Sequence, residues 1–344
     1  MSNDKFTRRD FVRKSTATGF AASVGGAAAS ASHANEVELQ QTSTDEWTLP
    51  NDMPYGVIGD LKISRLILGS NVPGAHSRDL IYVATLGRAY NTPEKMLDTF
   101  ELAESQGINT VLQGNPTLIN KYNTERGGNL RTISPVSVTT NDDKDSIKRT
   151  LTSAMVNDLA SAFYIWGDRG DYLARVNRMD VAGVAMEVAK ELGVTLGVGG
   201  HSLEVPIQCD ALGIKPDFYV KTFHNDDYWS ATPKENREPF CWYDGLGGNS
   251  YSGKTNDHNR FHDNIWCLDP EKTIEVMRNI DVPWIAFKIL AAGAIQPIQA
   301  FRYAFQNGAD FVAVGMPDFF VRENAQLVKR NVANLQDRDR PWRA

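Results

Sequence analysis

Along the chain, apolar positions switch repeatedly between two periods. Short runs rich in β-branched and aromatic residues stand at "ISRLIL" (63–68), "NTVLQ" (109–113), "ISPVSV" (133–138) and "SAFYIW" (161–166). Four more follow at "TLGVG" (195–199), "DFYVKTF" (217–223), "WIAFKI" (284–289) and "FVAVG" (311–315). Between them apolar residues recur every three or four positions, the spacing of a half-buried helix. In "TPEKMLDTFELAESQG", Thr92 is placed to cap, Pro93 fits the first turn and Gly107 ends the helix. "DVAGVAMEVAKELG" and "DPEKTIEVMRNI" repeat the design. Eight strands alternating with helices over about 280 residues predict an α/β fold, a single (β/α)8 TIM barrel at 53–336 with a C-terminal tail at 337–344. Pro135 in the third strand runs against the pattern, because proline gives a ladder no donor.

The residues ahead of the barrel carry a different signal. "TRRDFVRK" sets Arg8 and Arg9 before "STATGFAASVGGAAASASHA", a weakly apolar stretch of small residues. This resembles a twin-arginine export signal at 1–34, with Ser32 and Ala34 as the small residues before the cut. The resemblance implies the twin-arginine export machinery as a partner and a periplasmic or otherwise exported mature chain. The stretch is too rich in Gly, Ser and Thr to span a bilayer, and no later segment is apolar enough. Residues 35–52, "NEVELQQTSTDEWTLPND", read as a polar linker. The full chain has 36 basic and 42 acidic residues; removing 1–34 takes 5 and 2 of them and leaves a net charge of −9. An acidic chain without a basic block is a poor binder of nucleic acid or anionic membranes. Three cysteines, Cys209, Cys241 and Cys267, exclude a disulfide framework, although Cys241 and Cys267 share a loop and could pair.

"GNSYSGKT" at 248–255 matches the phosphate-loop pattern, yet no apolar strand delivers it and no helical pattern follows. It reads instead as part of a long loop after strand six, from His224 to about Leu268, on the catalytic face of a barrel. Trp229, Trp242, Tyr243, Tyr251 and Trp266 are many aromatics for a solvated tether, and suit a lid or a sugar-binding element. The alternative is that they only pack the loop onto the barrel.

"DLKISRLILGSN", "LAESQGIN", "DLASAFYIWG", "ELGVTLGVGGHSLE" and "GADFVAVGMPDFFVRENAQL" fall in the order of their equivalents in the aldo/keto reductases, which the chain resembles over about 55–335. The resemblance implies a barrel plugged at its bottom by a hairpin. That family reduces carbonyls with NADPH through an Asp, Tyr, Lys and His group, and the corresponding positions here hold Leu112, Thr117, no lysine on strand three, and Trp166. A chain without that acid is expected to have lost or exchanged the family's chemistry. NAD(P) is therefore the less favoured cofactor.

Candidate chemistry gathers at the carboxyl ends of the strands. His201 ends strand five, with Glu204 three residues on; His224 ends strand six; Lys221 and Lys288 lie on strands six and seven; Asp168 follows strand four. His201, Glu204 and His224 form a candidate divalent-metal set, or an inherited scaffold feature. A period of two puts Tyr219, Lys221 and Phe223 on one face and sets Ala286 and Lys288 opposite Ile285, Phe287 and Ile289. The more aliphatic faces suit the surrounding helices, so both lysines are expected to point into the barrel mouth. There Lys221 could act as a Schiff-base nucleophile, and "DFYVKT" loosely resembles class I aldolase barrels; an ion pair or an anion site is the alternative. Asn71, Gln113, Trp166, Trp229 and Trp242 are candidate substrate contacts.

The leading expectation is an exported enzyme, an isomerase, epimerase or lyase, doing non-redox acid–base chemistry on a polar carbonyl or sugar-derived substrate, with or without a metal. Its rivals are an NAD(P)-dependent oxidoreductase with a relocated acid and a non-catalytic carbohydrate-binding protein. Because 248–255 lacks the context of a phosphate loop, Lys254→Ala should change stability by no more than about 0.5 kcal/mol. Micromolar ATP binding that disappears in this variant would contradict the loop assignment.

Overall fold

The computed structural model describes residues 52–70, 81–158, 160–237 and 266–344. Two short strands come first, β1 (Tyr55–Ile58) and β2 (Leu61–Ser64), paired antiparallel from Tyr55↔Ser64 to Ile58↔Leu61. Eight strands follow: β3 (Leu66–Gly69), β4 (Thr110–Leu112), β5 (Arg131–Val136), β6 (Ala162–Ile165), β7 (Leu196–Gly200), β8 (Tyr219–Thr222), β9 (Trp284–Phe287) and β10 (Phe311–Gly315). They close into a barrel in chain order, each parallel to its neighbours, with β10 returning to β3 at Val312↔Leu66. The stretch expected as strand one divides: Ile63 belongs to the hairpin and the barrel strand starts at Leu66.

The described helices are α1 (Ile81–Tyr90), α2 (Pro93–Ser105), α3 (Pro116–Glu125), α4 (Lys144–Asn157), α5 (Gly167–Arg175), α6 (Asp180–Leu192), α7 (Glu204–Ala211), α8 (Pro270–Arg278), α9 (Pro297–Gln306) and α10 (Asp318–Ala333). In α2 the Thr92 side chain accepts from the Lys95 N–H, and Leu97, Phe100 and Ala103 form the buried stripe. No described helix is long and apolar enough to cross a membrane.

Pro135 is accommodated by register. In a parallel ladder, successive residues bond alternately to the two neighbours. Thr132 O and Val136 O accept from the β6 side, whereas Ile133 O accepts from Gln113 N on the β4 side. Pro135 shares the β4 side, and the β4–β5 pairing has ended at Leu112↔Ile133. The missing donor has no partner to lose.

Two apolar layers hold the barrel. Inside, Ile67, Leu112, Ile133, Tyr164, Phe218, Val220, Ile285 and Phe311 pack together, with Ile58 and Ile63 of the hairpin closing the bottom. Outside, Tyr219, Phe223, Trp284, Ala286 and Val312 join the helix stripes. The interior of so small a barrel is a packed core, so the aliphatic faces of β8 and β9 fill it. This reverses the expected orientation of Lys221, which leaves β8 on the helix side with Tyr219 and Phe223.

The tail at 337–344 lies against the amino ends of the strands. Asp310, fully buried, accepts from Trp284 N, the Arg338 and Arg340 guanidiniums and Arg343 N at 2.9, 3.2, 2.6 and 2.9 Å. Arg65 and Arg338 sit over the Trp342 ring, 4.0 and 3.8 Å from its centroid. Burial lowers the pKa of Arg65 to about 10, and Asp310 opposes the shift.

One contact between helix and strand decides where the polar residues of the mouth can go. A Cβ at Gly170 of α5 would lie 2.0 Å from Gly199 O of β7, and a Cβ at Gly199 would lie 2.7 Å from Ile165 O. Only two glycines permit this approach. Gly170→Ala should force α5 off the strand, at about 1–3 kcal/mol for overpacking. An unchanged melting temperature would contradict it.

Candidate active site

The close approach of α5 delivers Asp171, fully buried, to the end of β7. Its carboxylate accepts from His201 N at 2.9 and 3.0 Å and from Ser202 N at 2.7 Å, and meets His201 Nδ1 at 2.8 Å. With an acid already accepting backbone N–H groups, the ring is assigned as the Nδ1–H tautomer, which places the proton-accepting lone pair on Nε2. Burial, then Lys288 and Lys221, push the His201 pKa well below the usual histidine range. Burial raises the Asp171 carboxyl, against the two backbone N–H groups and Lys221. The result is a neutral, oriented imidazole, tilted 5.1 Å from the Phe287 ring of the barrel interior.

Lys288 reaches the same region by a different route. It lies beyond β9 with φ 57, a left-handed conformation uncommon outside glycine, so simple alternation no longer sets its direction. Its ammonium sits 4.3 Å from the centroid of Trp266 and acts electrostatically on both His201 and Asp168. Gln113, at the end of β4, has φ 58, and its Oε1 accepts from Tyr164 Oη at 3.3 Å. Strained residues at the ends of two strands mark this rim as a place where geometry outweighs local stability. Asp168 is exposed at the rim; partial desolvation still raises its carboxyl pKa, against Lys288 and Arg169. Trp166, 38% exposed, precedes it at the start of α5.

The remaining expected residues divide. His224 is buried, with Nδ1 bonded to Asn225 O at 2.7 Å and Nε2 accepting from Trp266 N and Cys267 N at 3.1 and 3.0 Å. Both ring nitrogens hold backbone, so His224 serves neither as proton carrier nor as metal ligand. Glu204 opens α7, where Gln208 reaches its carboxylate at 3.5 Å. The expected metal set does not assemble: among the described residues no group of three His, Cys, Asp or Glu could hold an ion. Lys221 is 2% exposed, and its ammonium bonds Thr222 O and Oγ1 at 2.9 and 3.0 Å. It is not aimed into the mouth as a nucleophile. Trp229 is 94% exposed, and Cys267 is a free buried thiol. Asn71, Trp242 and the 248–255 motif lie outside the described residues.

The positions that would serve carbonyl reduction are differently used. Leu112 belongs to the barrel core, Thr117 is exposed on α3, and the first turn of α10 carries Asp318. That carboxylate accepts from Tyr90 Oη at 2.7 Å and pairs with Lys95.

The sequence pattern gave no role to Asp171 or Thr222, and it marked Trp266 only as one of the loop aromatics. The glycines of "GDRGD" and "GVGGHS" were the available signal for Asp171, since they announce a backbone approach beside a carboxylate and a histidine.

His224 makes a pH prediction. Burial lowers its pKa to about 4, below the ordinary 6.5. A depressed histidine contributes stability that is complete above the unfolded value and is lost as pH falls from 6.5 towards 4, on the order of 3 kcal/mol. Thermal melts should show this decline, and His224→Leu should be less stable at pH 7 with a shallower decline. An equal slope in both proteins would contradict the assignment.

No protein-family model and no curated protein sequence matches the chain. A solved structure from Pseudomonas aeruginosa, described as a candidate aldo-keto reductase, superposes with a TM-score of 0.53 at 15% identity, over 83% of this chain and 99% of its own. A second of the same description and organism gives 0.50 at 16% identity, over 81% and 94%. At such identities the likeness speaks for the fold alone. The chain has an aldo-keto reductase-like barrel of eight parallel strands.

Proposed function

We propose that the mature chain is an exported enzyme that moves a proton next to a carbonyl group, in a polar, sugar-derived substrate, without redox chemistry. The observation that carries this reading is the Asp171–His201 pair at the end of β7, with the Lys288 ammonium acting on the same imidazole. A neutral histidine held by a buried carboxylate is suited to general-base work. In the step, His201 Nε2 takes the proton from the carbon beside the carbonyl. The C–H electron pair moves into the new C=C bond, and the carbonyl oxygen becomes an enolate. Lys288 is the cation available to stabilise that charge. Return of the proton to the former carbonyl carbon, with the adjacent hydroxyl passing its proton to the enolate oxygen, gives isomerisation; return to the opposite face of the same carbon gives epimerisation, and departure of a β-substituent gives elimination. Asp168, with its raised carboxyl pKa, is the rim acid for such a departure. Export rests on Arg8 and Arg9 at the head of 1–34.

A binding protein for carbohydrate is the second reading, favoured by Trp229, which presents nearly its whole indole to solvent after β8. The two are separated by chemistry. In D2O, a panel of ketoses and sugar acids should include a compound whose α-proton exchanges in the presence of the protein. His201→Ala should slow that exchange about 100-fold or more. Exchange that persists unchanged in His201→Ala would remove the base; tight sugar binding without any exchange would favour the binding protein.

A further inference from the structure

Lys221 is a buried cation that the proton transfer above does not use. Its ammonium bonds only Thr222 among the described residues, at the main-chain oxygen and at Oγ1. On β8 it shares a face with Tyr219 and Phe223, which join the helix-side core, and Trp284 Nε1 donates to its carbonyl at 3.2 Å. An ammonium can only donate, so Thr222 Oγ1 must accept from it. The single hydroxyl proton is then directed the other way, to His201 O at 3.0 Å and Trp266 O at 3.2 Å. These two carbonyls belong to the two arms of the candidate site. One follows β7 and carries the imidazole; the other is the return point of the long loop and carries the ring beneath Lys288.

We propose that Lys221 is a positioning residue: by fixing the Thr222 hydroxyl it ties the His201 backbone to the Trp266 backbone, so that base and cation are held at one spacing. The proposal rests on the acid–base reading for its consequence, and on the hydrogen bonds alone for its geometry. A neutral side chain at 221 would let the hydroxyl rotate, leaving one or both carbonyls unsatisfied in a dry environment, where such groups are costly. It would also remove a positive charge facing His201. Among the described residues, Asp171 from α5 and Lys288 beyond β9 also act on that ring. Loss of the ammonium should raise the pH at which the imidazole titrates.

The test is made on the full mature chain by NMR, with the His201 ring signal identified through its absence in His201→Ala. Lys221→Met should move the His201 titration to higher pH. Thr222→Val, which keeps the ammonium, should shift the amide signals of both 201–202 and 266–267 together, and Thr222→Ser should restore them. An unchanged His201 titration in folded Lys221→Met overturns the proposal. So does a Thr222→Val protein in which only one of the two segments responds, and this variant decides the matter if Lys221→Met does not fold. None of these readouts requires turnover, so failure here is distinct from failure of the proton-transfer reading, which the D2O exchange reports.

Discussion

The backbone of α5 lies directly on the backbone of β7, and the polar architecture of the barrel mouth follows from that contact. Gly170 against Gly199 brings the helix closer than any side chain would allow. The next residue, Asp171, is then carried beneath the end of the strand, where two main-chain N–H groups and an imidazole converge on it. From there the connections run onward through backbone. His201 O meets Thr222, Thr222 meets Trp266, and Trp266 supports Lys288. A helix displaced by one methyl group would leave the first carboxylate out of reach and the chain of contacts without its anchor.

The two ends of the barrel handle buried charge in opposite ways. At the amino end, Asp310 is saturated by two guanidiniums and two main-chain donors, and Trp342 is held between two arginines. Such a cluster fixes the tail. At the carboxyl end, Lys221 has hydroxyl and carbonyl partners, and the imidazole of His201 is discouraged from protonation by burial and then by two neighbouring cations. Incomplete compensation in a dry site is what gives a titratable group unusual affinity for protons, and it concentrates where chemistry is expected.

The long segment after β8 is held at its two described ends. His224 accepts from the amides of Trp266 and Cys267, and Arg237 bonds Thr232 O, Asp226 and Leu268 O. A histidine used in this way looks identical in sequence to one poised over a substrate. Its function was settled by groups 42 and 43 residues away.

Much of the fold was legible in the residues themselves. Alternating periods gave eight strands and their order, and the Thr92, Pro93 and Gly107 signals set one helix almost to the residue. His201 and Lys288 were visible as polar residues at strand ends, because chain order in an α/β barrel already assigns one end to chemistry. What a period of two cannot say is which face is inside. Tyr219, Lys221 and Phe223 share a face under any packing, but only the closed barrel, needing Val220 and Ile285 to fill its centre, turned that face towards the helices. Likewise the sequence determined that an imidazole and several carboxylates would stand at the mouth. The tertiary structure chose Asp171 over Glu204 as the partner, since a hydrogen bond depends on distances between residues 30 apart in the chain, set here by two glycines.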